Sequence, residues 1–194
     1  MMLLIVGLVI FLGVHLIPTS PEIRAGLRAR LGPGLYSATF SIVSLIGFAV
    51  IVMGYHKMQL HPGKNPVLWE APLWGRHVAL ALMLPAMILL VAAYIPSRIR
   101  NAVKHPMLAA IKIWALAHLL ANGDLASVLL FGSFLAYAIY DRISVKRRAA
   151  TGPLGNAQPG SIINDVIVVG LGVLAYAAML HGGHKWLIGV SPLG

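Results

Sequence analysis

The sequence predicts an all-α polytopic membrane bundle, with about six transmembrane helices and a short interfacial helix after the first. Hydrophobic residues make up 59% of the 194 residues and charged residues only 10%, and the mean hydropathy is +0.85. No soluble domain of this length needs so much apolar surface. The apolar residues also form runs of about 20, the length that crosses a bilayer as a helix. We expect one domain over residues 1–194.

The composition excludes several kinds of function. Cysteine is absent, so disulfides, thiol catalysis and iron–sulfur ligation by this chain are excluded. Lys and Arg number 15 against five Asp and Glu, which gives a formal charge of +10. In a soluble protein that charge would suggest nucleic acid. Here the basic residues lie in the loops between apolar runs, where they indicate the orientation of the spans and contact anionic lipid headgroups. The expected partner is therefore the lipid bilayer and not nucleic acid.

The first predicted helix covers residues 2–18. No basic residue precedes it and no small-residue cleavage site follows it, so we expect it to be retained and not removed as a signal peptide. Ser20 then caps a short helix that has Pro21 in its first position. This helix is typical of one lying along the membrane surface, because three apolar residues share one face: Ile23, Leu27 and Leu31.

The other predicted spans are residues 35–55, 74–95, 105–124, 125–140 and 162–180. Pro85 is expected to kink the second of these five spans. A polar loop, residues 56–73, precedes that span. A segment that is first basic and then rich in Gly and Pro, residues 141–161, is predicted to be flexible.

The stretch from 105 to 124 is the centre of the prediction. Pro106 suits the first turn of its helix, Gly123 is a plausible left-handed stop, and Asp124 can cap the helix that follows. Helical spacing places Trp114, His118 and Asn122 on one face. Polar groups within a membrane must face protein or a cofactor, so His118 is a functional candidate.

Loop charge predicts the orientation of the spans. The first, third and fifth connections are rich in basic residues, whereas the second and fourth hold only Lys57 and Lys64, with Arg76 at the edge. By the positive-inside rule the first set is cytoplasmic, so both termini lie outside a bacterial inner membrane. The basic sets are Arg24, Arg28 and Arg30; Arg98, Arg100 and Lys104; and Arg142, Lys146, Arg147 and Arg148.

This topology places three histidines near the outer surface: His77, His118 and His184. Neutral imidazole is the commonest metal ligand, and with no Cys and almost no embedded carboxylate a histidine-only site favours haem iron. A three-histidine zinc site is the alternative. Arg76 can pair with a haem propionate or anchor at lipid headgroups. His15 and His105, at the inner level, either form a second polar cluster or satisfy helix ends.

Several segments resemble the NnrU family of bacterial membrane proteins. The resemblance rests on residues 105–108 (HPML), 114–124 (WALAHLLANGD), 130–134 (LFGSF) and 141–142 (DR), with supporting matches at 15–20 (HLIPTS), 75–77 (GRH) and 184–190 (HKWLIGV). Together they cover nearly the whole chain. The family is similar to the plant and cyanobacterial 15-cis-zeta-carotene isomerase, a membrane enzyme with haem b held by histidines.

The resemblance implies haem b (iron) as the cofactor, with metal ligands drawn from His77, His118 and His184, and His77 and His118 as the catalytic pair. Arg76, Trp114 and Asn122 complete the expected cofactor-binding set. The isomerase's alternative cysteine ligand has no counterpart here, because this chain has no Cys.

Two functions follow from the resemblance. The first is a redox-gated, haem-dependent cis-trans isomerase acting on a hydrophobic polyene such as a carotenoid, which enters from the lipid. The second is a non-enzymatic accessory that carries haem or electrons, or responds to nitric oxide, beside a respiratory or denitrification membrane partner. A transporter is less favoured, because broken helices in corresponding halves and buried carboxylates are mostly missing.

Overall fold

The computed structural model describes residues 1–148 and 160–193, and nearly all of them are helical. The all-α prediction is confirmed. The helices, in chain order, are α1 (Met2–Leu16), α2 (Pro21–Leu31), α3 (Pro33–Gln59), α4 (Leu73–Ala92), α5 (Arg98–Val103), α6 (Pro106–Ala121), α7 (Leu125–Arg147), α8 (Ile162–Ala178) and α9 (His184–Ile188).

Among the described residues, five helical segments are long and apolar enough to cross a membrane. They are α1 with the turn after it, α3, α4, α7, and α8 continued through α9. The remaining predicted span, α6, is apolar but only 16 residues long, near the lower limit for a bilayer. The membrane prediction is confirmed; the inner membrane and the outward position of both termini stay predictions.

Several helix boundaries differ from the predicted ones. α3 begins at Pro33 and continues to Gln59, and α7 continues to Arg147 through residues that were predicted to be a flexible loop. Arg and Lys are good helix formers, and the Arg148 guanidinium after this end contacts Asp141 at 3.5 Å. The rest of the predicted flexible segment, except residues 160 and 161, lies outside the described residues.

Three local predictions are wrong in detail. Gly123 has no left-handed backbone; its small size is needed because a Cβ there would overlap the carbonyl of Trp69. Asn122 is extended and not helical, so it leaves the face that it was predicted to share with His118. Ser20 occupies the cap position of α2, but its side chain makes no capping hydrogen bond.

The chain divides into two compact units, and the single-domain prediction stays a prediction. The first unit comprises Met1–Leu68 and Asp124–Ser133. In it, α1 and α3 pack closely because glycine removes the side chain at the crossing points. A Cβ on Gly7 would lie 2.6 Å from the backbone nitrogen of Ile51, and one on Gly47 would lie 2.8 Å from that of Phe11.

Asp124 organises the polar end of the first unit. Its Oδ1 accepts hydrogen bonds from the Asn65 side chain at 2.8 Å and from the Ser127 backbone at 3.0 Å, and its Oδ2 accepts from the Ser127 hydroxyl at 2.6 Å. The predicted cap of the following helix is therefore confirmed. Burial raises the pKa of the Asp124 carboxyl, but the hydrogen bonds from Ser127 and Asn65 outweigh it and hold that pKa below its ordinary value.

The second unit comprises Trp69–Gly123 and Phe134–Gly194. In it, α4 packs against both α6 and α8. Gly75 near the start of α4 lies against the carbonyl of Leu120 near the end of α6. The hydroxyl of Tyr176 donates to the carbonyl of Leu80 at 2.9 Å, and Gly172 lies against Ile88. These contacts make α4 antiparallel to both neighbours.

Candidate functional site

The beginning of α4, the end of α6 and the segment after α8 meet at one end of the second unit. The Gly75–Leu120 contact places His77 and His118 at the same level, because α4 and α6 are antiparallel. The Tyr176–Leu80 bond brings the end of α8 to this level as well. The prediction that residues 77, 118 and 184 share a level is therefore supported by the packing of the helices that carry them.

His118 is held on α6 by its own helix and by neighbouring rings. Its Nδ1 lies 2.8 Å from the carbonyl oxygen of Trp114, which can only accept, so Nδ1 carries the proton. The indole of Trp114 lies 5.4 Å from the imidazole centroid and packs edge-on against Phe134 at 5.5 Å. Asn122, although outside the helix, donates from Nδ2 to the His118 carbonyl at 2.9 Å.

His184 is positioned by a break in the last membrane helix. The helix is interrupted by a kink within Met179–Gly183, where Gly182 has the non-helical φ of 148°. Only glycine adopts such a backbone readily. The short helix α9 then ends at Gly189 in the left-handed conformation, with φ 87°, and the chain turns back so that the Val190 carbonyl accepts from Nδ1 of His184 at 2.6 Å.

The imidazoles of His118 and His184 lie close together and nearly parallel. The ring centroids of His118 and His184 lie 6.3 Å apart, and the ring planes are inclined by 17°. Because each Nδ1 donates to a backbone carbonyl, each neutral ring keeps its lone pair on Nε2. Metal-binding histidines almost always donate their other ring N–H in this way, which fixes the tautomer and the orientation of the ring.

His77 lies at this end but does not join the pair. Its ring is exposed, and its Nδ1 donates to the Leu73 carbonyl one turn earlier at 3.2 Å. In the described parts of the chain no group of three or more His, Cys, Asp or Glu side chains could hold a metal ion. Two of the three predicted ligands are therefore brought together, and His77 as a ligand stays a prediction.

Arg76 holds the C-terminal segment against the start of α4. Its Nε and Nη2 donate to the Pro192 carbonyl at 3.0 and 2.8 Å. A guanidinium carries five N–H donors, so others remain for a carboxylate such as a haem propionate. Neither predicted role of Arg76, propionate partner or headgroup anchor, is tested by this contact.

The comparison with protein families decides the family of the chain. The family model described as NnrU protein matches residues 3–192. The chain belongs to the NnrU family. The resemblance found from the motifs is thereby confirmed. No curated protein and no solved structure matches the chain.

The other two histidines singled out in this NnrU family member occupy separate environments. His15 stacks on Phe11 at 4.2 Å between ring centroids, and its Nδ1 donates to the Phe11 carbonyl at 2.6 Å. The ring of His15 therefore satisfies a backbone carbonyl near the end of its own helix, α1. His105 precedes α6 and is only 8% exposed; burial lowers its pKa, and the positive charge of Arg142 acts in the same direction.

Sequence reasoning missed the groups that orient His184. Helical periodicity does not predict the Val190 carbonyl as acceptor, or the two glycines with positive φ that kink and then end the helix. The available signal was the unusual density of glycine around the histidine, at positions 182, 183 and 189. Glycine beside a ligand residue can mark a required left-handed turn.

Proposed function

We propose that this NnrU family member is a b-type haem protein of the membrane in which His118 and His184 are the residues that would hold the iron. The proposal rests on the proximity of the two imidazoles, whose ring centroids lie 6.3 Å apart and whose planes are nearly parallel. Two protonated Nδ1 atoms leave both Nε2 atoms available as ligands.

The number of protein ligands, two histidines, favours haem over zinc. A protein zinc site takes three or four ligands from the chain, and the described residues provide no such group. Haem iron needs only one or two protein ligands, because the porphyrin supplies the others. The predicted cofactor-binding residues Trp114 and Asn122 contribute by orienting His118 through the contacts described above.

The two histidines are supported unequally, which favours an enzyme in which one ligand is exchangeable. His118 lies in a regular helix, whereas His184 follows the kink at Gly182 and is held by the single turn at Gly189. Haem b supplies a redox-active iron that can act on a polyene double bond once a coordination position is open. We therefore propose a redox-gated cis-trans isomerase of a hydrophobic polyene such as a carotenoid.

The membrane spans suit a lipid-soluble substrate. Large apolar side chains are exposed along α8, including Ile163, Val166 and Leu174, and in a bilayer these contact lipid. A polyene dissolved in the membrane can approach between helices without crossing water. Approach from the lipid is consistent with the proposed substrate class. It needs no polar binding residue beyond the histidine pair.

Optical spectra of the full chain, purified in detergent and loaded with haem b, test the ligand assignment. We expect the Soret band of the wild type to shift and weaken in His118→Ala and in His184→Ala. His181→Ala is the matched control, because His181 is exposed and lies three residues before His184; its spectrum should match the wild type. Unchanged spectra in both ligand variants would overturn the proposal.

The spectrum of the reduced protein tests the enzymatic part. A ferrous form with one histidine released supports isomerisation, whereas two retained histidines in both redox states would contradict it and favour electron transfer. Incubation of the reduced wild type with a cis-polyene, followed by chromatography of the isomers, measures the reaction directly. The His184→Ala variant would leave one coordination position of the iron open. Its rate of isomerisation tests whether an open position accelerates the reaction.

A further inference from the structure

Two hydrogen bonds tie the segment after α9 to the beginning of α4. The Arg76 guanidinium donates from Nε and Nη2 to the Pro192 carbonyl at 3.0 and 2.8 Å. The same segment supplies the Val190 carbonyl, which accepts from Nδ1 of His184 at 2.6 Å. Residues 189–193, which we call the terminal segment, therefore contact the His184 ring at one carbonyl and the Arg76 side chain at another.

The terminal segment is stiff between these two carbonyls. Val190 and Pro192 are two residues apart, so their backbones lie within about 7 Å of each other even when the chain is fully extended. The proline ring fixes its own φ and biases Ser191, the residue before it, toward an extended backbone. The hydroxyl of Ser191 also accepts from the backbone nitrogen of Leu193 at 3.3 Å. Fixing the Pro192 carbonyl therefore restricts the movement of the Val190 carbonyl.

Arg76 is itself placed relative to His118 by the packing of α4 on α6. It follows Gly75, which lies against the Leu120 carbonyl of α6, and the same helix carries His118 two residues before Leu120. The planar guanidinium presents its N–H groups in a rigid fork, so two of them can hold one carbonyl in a defined direction. The terminal segment is therefore attached to the pair of packed helices that carries His118, and not to α9 alone.

We propose that Arg76 is a positioning residue for His184 and that it acts through the terminal segment. This inference rests on the proposed function, in which His184 is an iron ligand. While Arg76 holds the segment, the Val190 carbonyl stays beside the ring, and His184 keeps its proton on Nδ1 and its lone pair on Nε2. When that contact opens, the carbonyl can leave the ring, and His184 loses its fixed tautomer and orientation. The contact between Arg76 and Pro192 thus controls how readily the exchangeable ligand is released.

This role differs from the two that the sequence suggested for Arg76. Two of the N–H groups of the guanidinium donate to the Pro192 carbonyl, and the remaining ones can still meet a propionate or a lipid phosphate. Neither of those contacts would fix the tautomer of His184 in the haem-free protein. That tautomer therefore distinguishes a positioning residue from a propionate partner or a headgroup anchor.

Nitrogen NMR of the haem-free full chain, purified in detergent and containing isotope-labelled histidine, measures the tautomer directly. Spectra are recorded at alkaline pH, where histidine is neutral. We expect the wild type to carry the His184 proton on Nδ1 and Arg76→Gln to show a mixture of the two tautomers. The His184→Ala spectrum identifies the signals of that ring. His118 is the internal control, because its acceptor, the Trp114 carbonyl, lies within α6, so its signals should be the same in both proteins.

Titration of the haem-loaded protein with imidazole, followed by the Soret band, provides the second measurement. We expect imidazole to displace His184 at a roughly tenfold lower concentration in Arg76→Gln, since loss of a group that orients a ligand typically lowers metal affinity about 10- to 100-fold. Arg24→Gln is the matched control, because it removes the same charge at an exposed position of α2, and it should match the wild type in both measurements.

The two measurements separate this inference from the proposed function. If no haem binds but the His184 tautomer changes in Arg76→Gln, the haem assignment fails while Arg76 is still shown to orient His184. An unchanged His184 tautomer beside a Soret band that depends on His184 would overturn the positioning role and leave the proposed function standing.

Further variants test the route through the terminal segment. Arg76→Lys keeps the charge but loses the planar fork, and it serves if the glutamine variant does not fold; we expect a smaller tautomer change, and none at all would refute the role of the fork. Pro192→Gly keeps the carbonyl but loosens the segment, so it should change the tautomer in the same direction. The double variant Arg76→Gln/Pro192→Gly should change it no more than Arg76→Gln alone, whereas additive changes would show that the two residues act independently and contradict the route.

Discussion

The Nδ1 of His184 donates to the carbonyl of Val190 over 2.6 Å, across a left-handed turn at Gly189. The ring and its acceptor are six residues apart, too far for a contact within one regular helical turn. The orientation of His184 therefore depends on the backbone conformation of Gly189. The corresponding bond of His118, from its Nδ1 to the Trp114 carbonyl, lies within one continuous helix.

Substitution of Gly189 by Ala is expected to weaken haem retention. A side chain at φ 87° costs about 1–2 kcal/mol, so the turn should relax and release the Val190 carbonyl from the His184 ring. Haem transfer to an acceptor protein, followed by its Soret absorbance, should be roughly tenfold faster than from the wild type, since each 1.4 kcal/mol is about a factor of ten.

Gly170→Ala provides the control for a glycine-to-alanine change. A Cβ on Gly170 in α8 would meet no atom within 4 Å, so this variant should retain haem like the wild type. Equal retention in Gly189→Ala would show that the turn does not position the ligand. A fall in Tm without any change in haem transfer would point to a role in stability alone.

Asp124→Asn is expected to remove a pH-dependent part of the stability. The folded carboxyl has a lowered pKa, so the unfolded chain binds more protons at acidic pH and stability rises with pH in that range. The contribution is fully present above the ordinary pKa of 3.8 and is lost as pH falls through the lower folded value. At pH 7 we expect the variant to lose about 1–3 kcal/mol, because the hydrogen bonds to the charged group weaken.

Thermal unfolding between pH 3 and pH 7 measures this effect, and the difference in Tm between wild type and Asp124→Asn should shrink toward the acidic end. Glu22→Gln is the control, since Glu22 is exposed in the first turn of α2; its Tm should follow the wild type at every pH. A constant difference for Asp124→Asn over the whole range would contradict the assigned direction of the shift.

Gly7→Ala tests the close packing of α1 against α3. The added Cβ would lie 2.6 Å from the backbone nitrogen of Ile51, and backbone cannot yield as a flexible side chain does. Overpacking of this kind costs about 1–3 kcal/mol, so we expect Tm to fall by several degrees. Gly13→Ala in the same helix meets no atom within 4 Å and should keep or raise Tm.

The lengths of the hydrophobic segments predicted the fold class, and the sequence motifs predicted the family. Each membrane helix must satisfy its own backbone and cover itself with apolar side chains, so span number and approximate bounds are visible along the chain. The capping role of Asp124 and the position of Pro106 in the first turn of α6 were also predictable, because both are local. The helix α5 was missed, since its stability depends on Asp165 in a distant segment.

The sequence by itself determined that this is an all-helical membrane protein of the NnrU family, and it predicted that histidines 77, 118 and 184 lie at one level of the bundle. Only the tertiary structure decided that the rings of His118 and His184 lie close together while His77 does not join them. The physical reason is that ring orientation depends on backbone torsions and carbonyl acceptors outside a regular helix. For His184 these are Gly182, Gly189 and Val190, and apolar periodicity contains no information about them.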